Sequence, residues 1–302
     1  MKKGTRNLLI VALGLILVGG ILGITGYRLG GAKPVNLTPD GPLIANHATT
    51  LVDERWNRLT ALDIDADALD LRLVEGDSFS LTGSYDTSFM NLVISEEKGV
   101  LVIRSTHRNG GWLNFGFGNS WPKQELTLTY PRDTEFDAVS VTSDLGSLRV
   151  EGLEADTLDV RLALGDFRGE RVAVGQLELD MDLGNCELDE LEVSGSARTK
   201  LDSGRLSLRD SRVNDLTATN NLGSLDFSGS LSGTAKIDVD LGSLEFRLDN
   251  DEADIAYTIK SDMGSITLNG RDLHSSATGG PSSAPLELDI NANMGSVNIR
   301  TK

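Results

Sequence analysis

The chain has 302 residues, enough for one large domain or two ordinary ones, so core size is not what limits its fold. Aromatics are only 5% of it and glycine reaches 33 residues, a balance that suits many short strands joined by tight turns and argues against a helical bundle. The formal charge is -17, and because residues 1 to 31 hold Lys2, Lys3, Arg6 and Arg28 but no acid, the remainder carries 24 basic against 45 acidic groups. Such a surface repels nucleic acid and anionic lipid and attracts cations, while also serving simply to keep a β-rich protein soluble.

Residues 1–7 read as a basic cytoplasmic tail. From Leu8 to Tyr27 no residue is charged, and 20 residues at about 1.5 Å rise each cross a hydrocarbon core of roughly 30 Å, so 8–28 is predicted to be a transmembrane helix in the lipid bilayer. Lys2, Lys3 and Arg6 on its amino-terminal side place that end in the cytoplasm and the bulk of the chain outside it, a single-pass cell-membrane topology. The competing reading is a cleaved secretory signal, with Gly30, Gly31 and Ala32 as the small residues of a peptidase site; Arg28 and the length of the apolar run weigh against it. Residues 29–57 carry Pro34, Pro39 and Pro42 and read as an extracytoplasmic spacer, within which Asp53 to Leu59 allows a short helix.

Residues 58–136 read as an amino-terminal β-strand section. It is interrupted at 109–121 by NGGWLNFGFGNSW, in which Trp112, Phe115, Phe117 and Trp121 stand among four glycines. Rigid rings concentrated in one segment suit a partner or membrane contact, or a cap folded over an open strand edge.

Residues 137–302 repeat. Glycines recur at Gly146, Gly165, Gly184, Gly204, Gly223, Gly242, Gly264 and Gly295, spaced 19, 19, 20, 19, 19, 22 and 31 residues apart. Two residues after them stand Leu148, Phe167, Cys186, Leu206, Leu225, Leu244, Ile266 and Val297, and the alternation continues two residues further on, so one face of a strand is buried after each turn. A second strand precedes each glycine. A unit of strand, turn and strand this short cannot bury its face alone, and the predicted fold is all-β, a parallel β-solenoid of eight stacked coils; a β-sandwich or propeller would need a longer period.

Two residues before the glycines stand Asp144, Ala163, Asp182, Asp202, Asn221, Asp240, Asp262 and Asn293. Stacked in a solenoid they form a ladder, whose aspartates are candidates for sharing Ca²⁺ on neighbouring coils, although short Asx side chains equally serve to bond turn backbone. No other cofactor is signalled. Cys186 is the single cysteine, so no internal disulfide forms, and it reads as a core thiol. His47, His107 and His274 lack ligand spacing, and the serines after the glycines lack a neighbouring base, so no catalytic constellation is signalled.

The segments Glu97–Ile103 (EKGVLVI), Glu125–Pro131 (ELTLTYP), Val139–Gly152 (VSVTSDLGSLRVEG) and Met294–Ile299 (MGSVNI) resemble the bacterial putative-adhesin family of β-strand repeat proteins, a domain of unknown function with membrane-anchored members of the Lia envelope-stress type. The resemblance implies a surface-exposed, non-enzymatic domain linked to adhesion or to sensing envelope damage. Expected partners are a membrane protein, a cell-wall or host polymer, or a cationic peptide. A polysaccharide-active enzyme is the remote alternative, since solenoids can carry paired carboxylates along a groove.

Overall fold

A computed structural model describes residues 18–20, 25, 35–38, 41–44, 49–87, 90–107, 113–115 and 124–302. Most of the expected membrane span lies outside the described residues, and among those described no helix is long and apolar enough to cross a membrane.

The repeat folds into a stack of parallel coils. Strand Leu148–Leu164 pairs with Phe167–Leu183 in parallel and in register, Leu148 beside Phe167 and Val160 beside Leu179, so every side chain meets its equivalent 19 residues on. The next pairing begins with Phe167 beside Cys186 and shifts by one at Ser194 and Gly195, after which Gln176 faces Ser196. That extra residue is the source of the single 20-residue spacing. Each coil turns three corners rather than the two sides expected from sequence: the buried residues of one repeat fall into three groups, Leu148 and Val150, then Leu153 and Ala155, then Leu158, Val160 and Leu162. The corner between the first two groups carries a left-handed residue in successive coils, Gly152, Arg171, Glu190 and Asp210. The hydrogen-bond ladder runs on around such corners, which is how one continuous strand, Cys186–Leu248, comprises 63 residues.

The stack extends beyond the eight coils and beyond residues 137–302. Strands Ala61–Ala68 and Asp70–Gly76 form a coil beneath the Gly146 turn, with Leu69 in the glycine's place. Val100–His107 and Glu125–Pro131 form another coil outside that one. At the other end the coils leave chain order. The Gly242 coil pairs not with the Gly264 coil but with the Gly295 coil, Ile237 beside Ile290 and Phe246 beside Ile299, and the Gly264 coil packs outside it, Ile259 beside Ile290. The irregular spacings of 22 and 31 residues are those of a coil inserted between two earlier ones. The ten levels among the described residues, separated by nine spacings of about 4.8 Å, give a rod of roughly 43 Å.

Both ends are covered by antiparallel strands, which blunt edges that would otherwise pair with another chain. Met90–Glu97 lies on Val100–His107, Phe79–Asp86 on Glu125–Pro131, and Thr49–Trp56 on Phe79–Asp86. Arg271–Asp272 and Ser276–Gly279 cover the far end. Thr49–Trp56 is thus a strand where the sequence allowed a short helix at Asp53, its Leu51, Asp53 and Arg55 alternating with Val52, Glu54 and Trp56 across a sheet. Within the stretch read as a spacer, Val35–Thr38 and Gly41–Ile44 also pair, in a three-stranded sheet with Leu113–Phe115.

One continuous apolar core fills the stack. Cys186 is fully buried in it, as its place among leucines implied. Phe227 and Phe246 stack on adjacent coils with ring centroids 5.5 Å apart, and Phe79, Tyr130 and Phe136 close the amino-terminal end edge to face, at 5.4 and 6.5 Å.

Candidate functional site

The glycine corner organises the most distinctive surface of the rod. A Cβ built on Gly165 would lie 1.8 Å from the carbonyl oxygen of Gly146, and the same clash, 1.5 to 1.8 Å, recurs up the column for Gly184, Gly204, Gly223, Gly242, Gly295 and Gly264, each against the coil below. Coils approach there so closely that only hydrogen fits. The column thereby brings all eight repeat glycines together and repeats the coil order found in the strand pairing.

Close approach forces the neighbours outward. Three residues before the glycine and two after it the side chains point inward, so the two residues before it and the one after it lie outside. The residue directly before is the apolar one: Leu145, Leu164, Leu183, Leu222, Leu241, Met294 and Met263, 40 to 65% exposed, stacked in that order with Ser203 in the fourth place. The glycine spacing alone does not mark these residues as a surface. The signal was available, because a position adjacent to a tight extended turn cannot share the inward phase of both flanking strands.

Beside this ridge runs the Asx ladder. In spatial order its upper half reads Asp202, Asn221, Asp240, Asn293 and Asp262, acid and amide alternating. Asn221 donates from Nδ2 to Asp202 Oδ1 at 2.9 Å and Asn293 to Asp240 Oδ1 at 2.6 Å. Chain order would set Asp240 against Asp262; the inserted coil places Asn293 between them. In this half an amide donor thus stands between neighbouring carboxylates, whereas Asp182 and Asp202 below it occupy adjacent coils with no amide between them. Among the described residues no group of three or more His, Cys, Asp and Glu is placed to hold a metal ion. On the other side of the glycines, carboxylate and amide oxygens cap backbone donors of the next coil: Asp70 accepts from Ser147 N, Asp166 from Asn185 N and Asn185 from Arg205 N. Ser224 follows its glycine as a turn serine, its Oγ accepting from Arg205 Nε at 3.1 Å.

The flat faces are charged and laterally paired. Arg149 bonds Glu151, Arg168 bridges Asp166 and Glu187, Arg209 pairs with Asp189, and Lys200 with Asp180 and Asp202. Two shallow open depressions interrupt them. One of about 230 Å³ lies over the small Ser207 among Arg205, Arg209, Asp226 and Arg247; one of about 380 Å³ is lined by Arg171, Glu190, Asp210 and Arg212. Opposite charges stand side by side in each. Burial raises the Asp159 carboxyl above its usual range, and Glu178 and Asp180 add to the shift while Arg161 opposes it. Hydrogen bonds from Asn269 and Arg271 hold Glu252 below that range.

Of the aromatic segment, Phe115 lies in strand Leu113–Phe115, which pairs with Val35–Leu37. Trp112, Phe117 and Trp121 lie outside the described residues.

Residues 59–300 match the family model described as Toastrack DUF4097. No curated protein matches the chain. Among solved structures it is similar to a protein from Bacteroides fragilis described as a putative adhesin, at 13% identity and a TM-score of 0.40, over 85% of this chain and 99% of that one. A putative adhesin from Parabacteroides distasonis is similar at 11% identity and a TM-score of 0.37, over 84% and 98% of the two chains. A protein from the same species described as a putative lipid binding protein is similar at 13% identity and a TM-score of 0.30, over 85% and 98%.

Proposed function

The chain belongs to the Toastrack DUF4097 family, and we propose that it is a membrane-anchored, non-catalytic binding module that holds an acidic rod at the outer face of the cell membrane. One observation carries the binding reading: seven of the ten large apolar side chains exposed among the described residues stand in a single row of the rod, beside faces that carry paired charges. A soluble surface scatters its apolar residues singly, and a contiguous row is the mark of an interaction site. The uncharged run from Leu8 to Tyr27 behind Lys2, Lys3 and Arg6 supports the anchor and its orientation. The aromatic residues Trp112, Phe115, Phe117 and Trp121 supply a second contact point, and the resemblance to the Lia type favours an accessory or sensor of envelope stress.

The test is a photocrosslinking scan of the full-length protein in its native membrane. A benzophenone side chain is placed at Leu183 and Leu222 on the ridge, at Phe115 in the aromatic segment, and at Glu192 on another face. Discrete adducts from the ridge or the aromatic segment, and none from Glu192, support the reading. The absence of adducts from every position would refute it.

A further inference from the structure

We propose that the ridge is the docking site of a cationic amphipathic helix in a protein partner, whose apolar stripe lies along the leucines and methionines and whose Lys and Arg side chains meet the aspartates beside them. This deepens the binding-module reading and rests on it.

Spacing selects the helix. Ridge side chains recur once per coil, about every 4.8 Å, and a helix presents one face once per turn, about every 5.4 Å, so the two keep step over four or five contacts. An extended strand presents one face about every 6.7 Å and falls out of step after one. The exposed part of the seven side chains amounts to on the order of 600 Å², the size at which an apolar patch marks an interaction site.

Charge selects the class of partner. Asp144, Asp182, Asp202, Asp240 and Asp262 flank the ridge on one side and Asp70 and Asp166 on the other, against Arg205 as the cation in those two columns. Asp144, Asp182 and Asp262 make no ion pair among the described residues, so they remain available to a partner. An anionic bilayer would be repelled, and a second copy laid ridge to ridge would set aspartates against aspartates. A helix with Lys or Arg on both sides of an apolar stripe meets each requirement.

Ser203 adds a register mark. Lying between Leu183 and Leu222 in the column, it leaves a notch two coils wide, about 10 Å, into which one large partner side chain fits.

The test uses the full chain in phosphatidylcholine nanodiscs, with protein-free nanodiscs as the blank. The probe is a fluorescent Leu/Lys peptide of about 18 residues with apolar positions at i, i+3, i+4 and i+7, compared with the same composition scrambled. The patterned peptide should bind and the scrambled one should not. The combined change Leu164→Gln, Leu183→Gln and Leu222→Gln should weaken Kd by about tenfold or more, without moving the urea midpoint, because those side chains are already exposed. Ser203→Leu should weaken binding by filling the notch, and Asp144→Asn with Asp182→Asn should reduce its salt dependence. Equal binding of both peptides, or no loss in the ridge variant, overturns the proposal. A wild-type dimer that the ridge variant dissociates, with no peptide binding, overturns it in favour of self-association. If the photocrosslinking scan still yields adducts away from the ridge, only this docking assignment falls; if it yields none anywhere, the binding-module reading falls with it.

Discussion

Gly184→Ala should be among the most damaging small substitutions in this chain. The new Cβ would stand 1.8 Å from the Gly165 carbonyl oxygen, against the 3.0 Å that real Cβ contacts respect, and the obstructing atom is backbone that cannot rotate aside. The coils must therefore part by more than 1 Å at this corner. Parting strains two cross-coil bonds, Gly165 N to Leu183 O at 3.1 Å and Phe167 N to Asn185 O at 2.9 Å. Two bonds at about 1 kcal/mol each, a positive φ costing about 1 kcal/mol, and loosened packing where Phe167 meets Cys186 sum to roughly 3–5 kcal/mol. That is a large part of the roughly 5–15 kcal/mol that holds a domain together. Gly270→Ala is the control: its φ is +75° but nothing lies within 4 Å of the added methyl, so it should cost only the conformational part, about 1 kcal/mol. Urea unfolding followed by circular dichroism gives both values. If Gly184→Ala costs no more than Gly270→Ala, the coils do not touch through their glycine carbonyls.

Leu225→Asp should destabilise the domain by about 4 kcal/mol or more, since it sets a charge at a fully buried position, whereas Ser224→Asp, outward and beside Arg205, should change it by under about 0.5 kcal/mol; similar effects would mean the strand phase is wrong. Asn221→Asp should replace an amide bridge and leave four successive carboxylates, Asp182, Asp202, the new aspartate and Asp240, lowering the urea midpoint at pH 7 by an amount that high salt and pH below the carboxylate range both restore; no salt or pH dependence would refute the alternation as a charge device. For Asp159, burial raises the folded-state pKa above the unfolded one, so its contribution is greatest below the unfolded value and is lost as pH rises through the folded value. Asp159→Asn should accordingly stabilise at pH 7 and do nothing below the ordinary carboxylate range; loss of stability at pH 7 would mean that the bond to Arg161 outweighs burial.

The inward positions were legible because alternation around the glycine constrains two residues at a time: Leu148, Leu206, Leu225 and Leu244 are all buried as expected. The third side of each coil was harder to read, since Leu153 and Ala155 lie far from the glycine and mix with polar residues at a left-handed corner occupied in turn by Gly152, Arg171, Glu190 and Asp210. Coil order at the carboxyl end was not legible by counting. The spacings of 22 and 31 record that the repeat breaks, but only the pairing of Ile290 with both Ile237 and Ile259 shows where the last coil goes. Two chemical features did carry that information unread, the Asp and Asn alternation and the apolar residue before each glycine, because their meaning depends on which coils are neighbours. The coil formed by Ala61–Ala68 and Asp70–Gly76 has Leu69 at the corner in place of the repeat glycine, so the glycine spacing does not mark it.

The most direct test of the ridge as the functional face is maleimide labelling of single cysteines placed at Leu145, Leu164, Leu183, Leu222 and Leu241, with Glu192→Cys as the control. Cys186 provides a silent background, because it is fully buried and burial pushes its thiol pKa up. In purified full-length protein every introduced cysteine should label. In intact native membranes the five ridge positions should be protected while the cysteine at position 192 labels as before, the pattern of a face covered by a partner. Ridge cysteines that label as fast in membranes as in isolation would contradict the account.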